Sequence, residues 1–301
     1  MKKPLVVVIT GPTGSGKTAL SIRLAKAIQC SIVSADSRQV FKEIPIGSAA
    51  PDRAELEEVE HFLVGSHSIH ETFNAGIYEQ EALKILDSLF ERSPIQIVCG
   101  GTGLYIKALL EGLDEIPFAS ESLRAELTRA WNSDSDKLKA ELIQADPEYA
   151  QSADLSNKQR VIRAIEIIRL SGKKYSSLRM NHRLERNFNS VILALDLPRE
   201  KLYSQINDRT LKMIQAGWLD EAKEVYSYRS TNALQTVGFK EIFEHFDGII
   251  TLEEAISKIQ MNTRRYAKRQ LTWIRNQQSV IWVRPDEDNQ TIIKKIEASL
   301  A

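Results

Sequence analysis

Five short runs along the chain are rich in Val, Ile, Leu and Ala: 5–10 (LVVVIT), 31–35 (SIVSA), 95–99 (IQIVC), 191–197 (VILALDL) and 280–283 (VIWV). Their length and β-branched content predict strands. Between the first three the apolar period lengthens to that of a helix. Residues 17–29 place Leu20, Leu24, Ala27 and Ile28 on one face, and 78–92 do the same with Ala82, Ile85, Leu86 and Leu89. Strand and helix in alternation predict βαβ units, and therefore an α/β fold whose parallel sheet is covered on both faces. Such sheets bind ligands at the carboxyl ends of their strands.

The pattern changes at 114–187. No strand-like run occurs there, while ESLRAELTRAW, SDKLKAELIQ and NKQRVIRAIEIIRL are rich in helix formers. We read 114–187 as a helical insertion that divides an α/β core into 1–113 and 188–301. Asp146-Pro147 and Ser171-Gly172 read as turns within it.

Composition narrows the class of protein. The chain has 301 residues, 43% hydrophobic and 27% charged, as in ordinary globular proteins. No apolar run approaches the roughly 18 residues of a membrane span. The N-terminal apolar run, 5–9, is too short for a signal-peptide core. A cytoplasmic protein without a membrane partner is expected. The net charge is zero, so a nucleic-acid partner would need local basic patches. Cys30 and Cys99 form no C-x-x-C pair and read as buried thiols, and the histidines show no metal-ligand spacing.

Three loops at predicted strand ends carry candidate chemistry. The first, GPTGSGKT, has the form G-x-x-x-x-G-K-[ST] between a strand and a helix. Backbone N–H groups from Gly11, Pro12, Thr13, Gly14, Ser15 and Gly16 onward would surround phosphate oxygens, proline lacking its own. Lys17 would add a point charge, and the Thr18 hydroxyl would reach a Mg2+ bound to the same phosphates. A phosphate site follows from this, and a nucleotide remains only one of its possible owners. The second loop places Asp36, Ser37, Arg38 and Gln39 after the second strand. Asp36 there can act on Mg2+ indirectly, bind a substrate hydroxyl or serve as a general base. The third, CGGTGLY, has glycines that admit close approach of a ligand, with Thr102 beside them.

Two basic stretches supply the local charge. Residues 157–187 hold nine Lys/Arg against Glu166 and Glu185, with Arg160 and Arg163 on one helical face. Residues 263–276 hold five Lys/Arg and no acid, interleaved with Tyr266 and Trp273. Cations with aromatics suit RNA, although a solvated helix face would show the same composition.

In this order, GPTGSGKT, DSRQVF, GGTGLY, QRVIRAIEI, LQTVGFKE and TRRYAKRQLTWIR resemble the tRNA dimethylallyltransferase family along nearly the whole chain. The resemblance implies transfer of a dimethylallyl group from dimethylallyl diphosphate to N6 of the adenosine just 3′ of the anticodon. It implies that the phosphate loop holds the donor's diphosphate with Mg2+. Asp36 matches the family's general base and Thr102 a residue contacting the acceptor. Asp36 to Gln39, Arg124, and Gln159, Arg160, Val161, Ile162 and Arg163 match positions that contact the tRNA anticodon stem-loop. Arg209 can add to stabilisation of the departing diphosphate, or can belong to a helix-face charge pair. The chain departs from the family pattern at Ala50, where lysine is common, and at Phe41, where tyrosine is. No C-terminal Cys/His finger of the eukaryotic type occurs, so a bacterial-type enzyme is expected; a monomer is expected as well.

Three other functions compete on the same residues. A small-molecule kinase would use the phosphate loop but leaves the 263–276 stretch idle. An isopentenyltransferase acting on free adenine nucleotides has no need of the basic insertion. An RNA-binding module with a vestigial loop leaves Lys17, Thr18 and Asp36 in working context without a role.

Overall fold

The structure is a computed structural model that describes residues 3–114, 116, 120–179 and 183–300. His182 lies outside the described residues. Six strands form one parallel sheet: β1 (Leu5–Thr10), β2 (Ile32–Ser34), β3 (His61–Phe62), β4 (Ile95–Cys99), β5 (Asn189–Leu195) and β6 (Val280–Val283), in the order β3-β2-β4-β1-β5-β6. Five of them coincide with the apolar runs. β3 was not expected. It is a two-residue, half-buried edge strand paired only with Ile32 and Val33, too short to carry a pattern.

β1 shows why its run is uninterrupted. Leu5, Val7 and Ile9 face one side, against Leu20, Leu24 and Ala25 of helix Lys17–Ile28 and Ile292 of helix Asn289–Leu300. Val6 and Val8 face the other, against Tyr78, Ala82 and Leu86 of helix Ala75–Phe90 and Ile106 of helix Gly103–Glu111. A central parallel strand has two buried faces, so both alternating sets are apolar. Helix Ala75–Phe90 starts three residues before the expected Tyr78 because the Asn74 side chain accepts the N–H groups of Gly76 and Ile77.

The chain divides into two compact units, Met1–Leu110 with Glu185–Ala301, and Glu111–Leu184. Composition had suggested boundaries at 114 and 187. The first unit contains the sheet. The second is helical among its described residues and has its own core of Leu127, Leu138, Leu142, Tyr149, Val161 and Ile165. Asp146-Pro147 is more than a turn there. Fully buried, Asp146 accepts from the N–H of Tyr149 and from both the N–H and hydroxyl of Ser176. It caps helix Pro147–Ser152, whose first residue is the proline. Burial opposes its charge, yet these donors hold its pKa below the ordinary value. Gly172 ends helix Lys158–Ser171 in the left-handed region at φ 68°.

Candidate active site

Three loops leave the carboxyl ends of β1, β2 and β4, and the sheet order makes those strands neighbours. The loop after β1 is the phosphate loop. Gly14 and Gly16 take φ of 80° and 90°, which L side chains rarely adopt. Gly16 then opens helix Lys17–Ile28. The Lys17 ammonium lies along the loop, donating to the carbonyls of Gly11 at 3.1 Å and Pro12 at 3.0 Å. Burial lowers its pKa, with Cys99 and Asp36 acting the other way and Arg209 adding to the lowering.

Asp36 follows β2. Its Oδ1 accepts the N–H of Arg38 at 2.9 Å and that of Gln39 at 3.4 Å, which turns the chain and holds the carboxylate in place. The Gln39 side chain is used inside the loop, donating to the Ala49 carbonyl and accepting from the Ser34 hydroxyl. Arg38 donates to the carbonyl of Asn232. Burial lowers the Arg38 pKa and the charge of Asp36 offsets it.

The loop after β4 differs from its reading in the sequence. Its glycines admit the protein's own groups. A Cβ on Gly100 would stand 2.2 Å from the Ala35 carbonyl oxygen, one on Gly101 2.3 Å from Gln270, and one on Gly103 2.5 Å from Trp273. Thr102 therefore comes to rest against the Asp36 loop. Tyr266 lies beside it, its phenol pushed up to about 12 by burial and then by the charge of Asp36.

A cavity of about 550 Å3 and a second of about 340 Å3 meet at Thr13, Gly14, Asp36, Ser48, Arg209 and Tyr266. The smaller one reaches Gly16, Lys17 and Thr18. The larger one runs past Ser37 and Arg38 to an apolar wall of Met213, Trp218 and Phe239 and to the cations Lys240 and Arg269. Asp36 thus stands at the junction of a lobe lined by the GPTGSGKT loop and a wider one. Arg209, on helix Arg199–Gln215, also borders both. Burial lowers its pKa and Asp36 opposes this.

Of the remaining expected contacts, Arg124, Gln159, Arg160, Val161, Ile162 and Arg163 all belong to the helical unit. Gln159 and Arg160 are exposed. Val161 and Ile162 are not surface residues. They are 0% and 2% exposed in the core of that unit, so their side chains pack the helix instead of meeting RNA. Arg124 and Arg163 converge on one carboxylate oxygen of the fully buried Glu166, at 2.6 and 2.7 Å.

The IPP transferase family model matches residues 39–277. A tRNA dimethylallyltransferase of Cytophaga hutchinsonii is 47% identical over 98% of this chain and 97% of its own. The chain belongs to the tRNA dimethylallyltransferase family. Among solved structures, the full-length tRNA isopentenylpyrophosphate transferase of Bacillus halodurans matches with a TM-score of 0.71 and 36% identity, covering 99% of this chain and 96% of that one. A eukaryotic dimethylallyltransferase captured acting on tRNA matches with a TM-score of 0.79 and 27% identity, over 99% of this chain and 78% of its own. The sequence did not single out Gln270, Lys240 or the apolar wall, and it marked Arg269 only as one of the cations of 263–276. The one signal for Gln270 is its place on helix Leu252–Arg275, where Tyr266, Gln270 and Trp273 share a face at helical spacing.

Proposed function

We propose that this family member transfers a dimethylallyl group from dimethylallyl diphosphate to N6 of adenosine 37 of tRNA, with the chemistry centred on Asp36. One observation carries the reading: Asp36 stands where the phosphate-loop lobe opens into the wider cavity. The donor's diphosphate lies in the first lobe and the acceptor adenine in the second. The N6–C1 bond forms, the allylic C1–O bond breaks, and the N6 proton passes to the Asp36 carboxylate. An exocyclic amine is a weak nucleophile, so a positioned base assists its attack. Diphosphate leaves with growing negative charge, next to Lys17, Arg209 and the N–H groups of the phosphate loop.

Mg2+ fits the donor set. The phosphate lobe offers the Thr18 hydroxyl and the Asp36 carboxylate, and no cluster of three metal-ligating side chains exists among the described residues. That suits an ion held mostly by diphosphate oxygens and water rather than by a protein cage. When bound, Mg2+ neutralises part of the leaving group's charge.

Ser37, Arg38 and Thr102 are the acceptor-side contacts in this reading. Gln159, Arg160, Arg163 and Arg124 of the helical unit, 114–187 by composition, meet the anticodon stem-loop. The adenosine leaves its stack to reach Asp36, which costs least in a single-stranded loop. Every residue given a role here comes from one chain, which supports a monomer as the working unit.

The test is incubation with Mg2+, labelled dimethylallyl diphosphate and unmodified tRNA, with AMP and ATP as competing acceptors. Label is expected in the tRNA. Label in the free nucleotide alone, or ATP turnover without prenyl transfer, would overturn the reading.

A further inference from the structure

We propose that Gln270 is a positioning residue that locks the donor's phosphate loop to the loop carrying Thr102. The inference rests on the reaction just described. Gln270 is 7% exposed on helix Leu252–Arg275. Its Oε1 accepts the N–H of Thr13 in the phosphate loop at 2.8 Å, and its Nε2 donates to the carbonyl of Gly101 at 2.9 Å. Both partners are backbone groups, so the bridge fixes two main chains rather than two side chains. The amide has one orientation, because its flip would set oxygen against a carbonyl and N–H against N–H.

What the bridge joins gives it a function. Thr13 borders both lobes of the site. Gly101 precedes Thr102, whose hydroxyl oxygen accepts the N–H of Ser37, next to Asp36. A continuous path therefore runs from the diphosphate site through Gln270 to the base. Only glycine at 101 leaves room for it, since a Cβ there would stand 2.3 Å from Nε2. Transfer requires C1 of the donor and N6 of the acceptor in line, and a misplacement of about 1 Å costs about 100-fold in rate. Gln270 borders the smaller lobe, but its amide oxygen and nitrogen are each bonded to a backbone group, so its part is to set the distance between the loops that hold the substrates.

The test compares Gln270→Met, which keeps the volume and loses both hydrogen bonds, with Gln270→Glu. A buried carboxyl favours its neutral form. When protonated it accepts from Thr13 and donates to Gly101 as glutamine does; when ionised it faces the Gly101 carbonyl with a charge. Gln270→Met is expected to lower kcat by about 10- to 100-fold, with KM for donor and for tRNA within about 3-fold of wild type. The ratio of Gln270→Glu to wild-type kcat is expected to rise at least about 5-fold from pH 8 to pH 6 as the acid takes up its proton. A Gln270→Met protein with wild-type kcat, or a ratio flat with pH, overturns the proposal. So does a loss that only tracks the fraction of folded protein. Wild-type protein that fails to modify tRNA would instead overturn the reaction reading, and this inference with it.

Discussion

Thr102 is bonded to both neighbours of Asp36. Its hydroxyl oxygen accepts the N–H of Ser37 at 3.0 Å, and its own N–H donates to the carbonyl of Ala35 at 3.1 Å. The proposed base is thereby held between two fixed points. Thr102→Val keeps the shape, removes the acceptor and leaves the Ser37 N–H unpaired, a cost of about 1–3 kcal/mol. Single-turnover transfer should fall by about 10- to 100-fold on that scale, and Thr102→Ser should stay within about 3-fold of wild type.

In the proposed reaction Lys17 should set an alkaline limit on donor binding. Its ammonium attracts diphosphate, and burial lowers its pKa below the ordinary 10.5. The charge, and donor affinity with it, is therefore lost as pH rises through a value below 10.5. The sign for stability is opposite. The unfolded chain binds the proton more tightly, so folding stability gains as pH rises between the folded and unfolded pKa values. Calorimetric titration with dimethylallyl diphosphate should show the alkaline loss in wild type and a pH-flat, weaker affinity in Lys17→Met. Transfer by that variant should drop about 100- to 1000-fold.

Variants of Arg160 and Arg163 should separate the proposed RNA contact from architecture. Arg160 is exposed, whereas Arg163 shares the buried Glu166 carboxylate with Arg124. Arg160→Ala should weaken tRNA binding at low salt, reduce the slope of log K against log salt by about 1 and leave thermal stability unchanged. Arg163→Ala should weaken binding and also lower stability by about 1–3 kcal/mol, because Glu166 loses a partner.

Ile162 separates the two from the other side. It is buried in the helical unit's core. Ile162→Ala should cost about 2–5 kcal/mol of stability. Its tRNA affinity, measured where the protein is folded, should match wild type. A selective loss of affinity would assign this residue to the RNA surface after all.

Much of this was legible in the residues. A central strand buried on both faces writes a run that is mostly apolar, which is why 5–10 and, despite the buried Gln96, 95–99 match β1 and β4 end to end. Asp36 was legible because it follows such a run, beside a motif that only a phosphate loop needs. Gln270 was not, since its partners lie 257 and 169 residues away and a lone glutamine on a basic helix has no pattern. The glycines of CGGTG misled for a related reason. Glycine marks a close approach without saying what approaches, and here it is Ala35, Gln270 and Trp273. Val161 and Ile162 came in with a matched segment, whereas the helical period of Val161, Ile162 and Ile165 assigns them to the core.

The most direct measurement is on Asp36→Asn, an isosteric change at the junction of the two lobes. Single-turnover transfer to unmodified tRNA and the affinity for dimethylallyl diphosphate with Mg2+ should be determined on the same protein. Loss of a general base should reduce transfer by about 100- to 10,000-fold, with donor affinity within about 3-fold of wild type. Transfer at the wild-type rate would contradict the assignment of Asp36 as the base, and a collapse of donor binding alongside activity would place its role with the diphosphate and its metal instead.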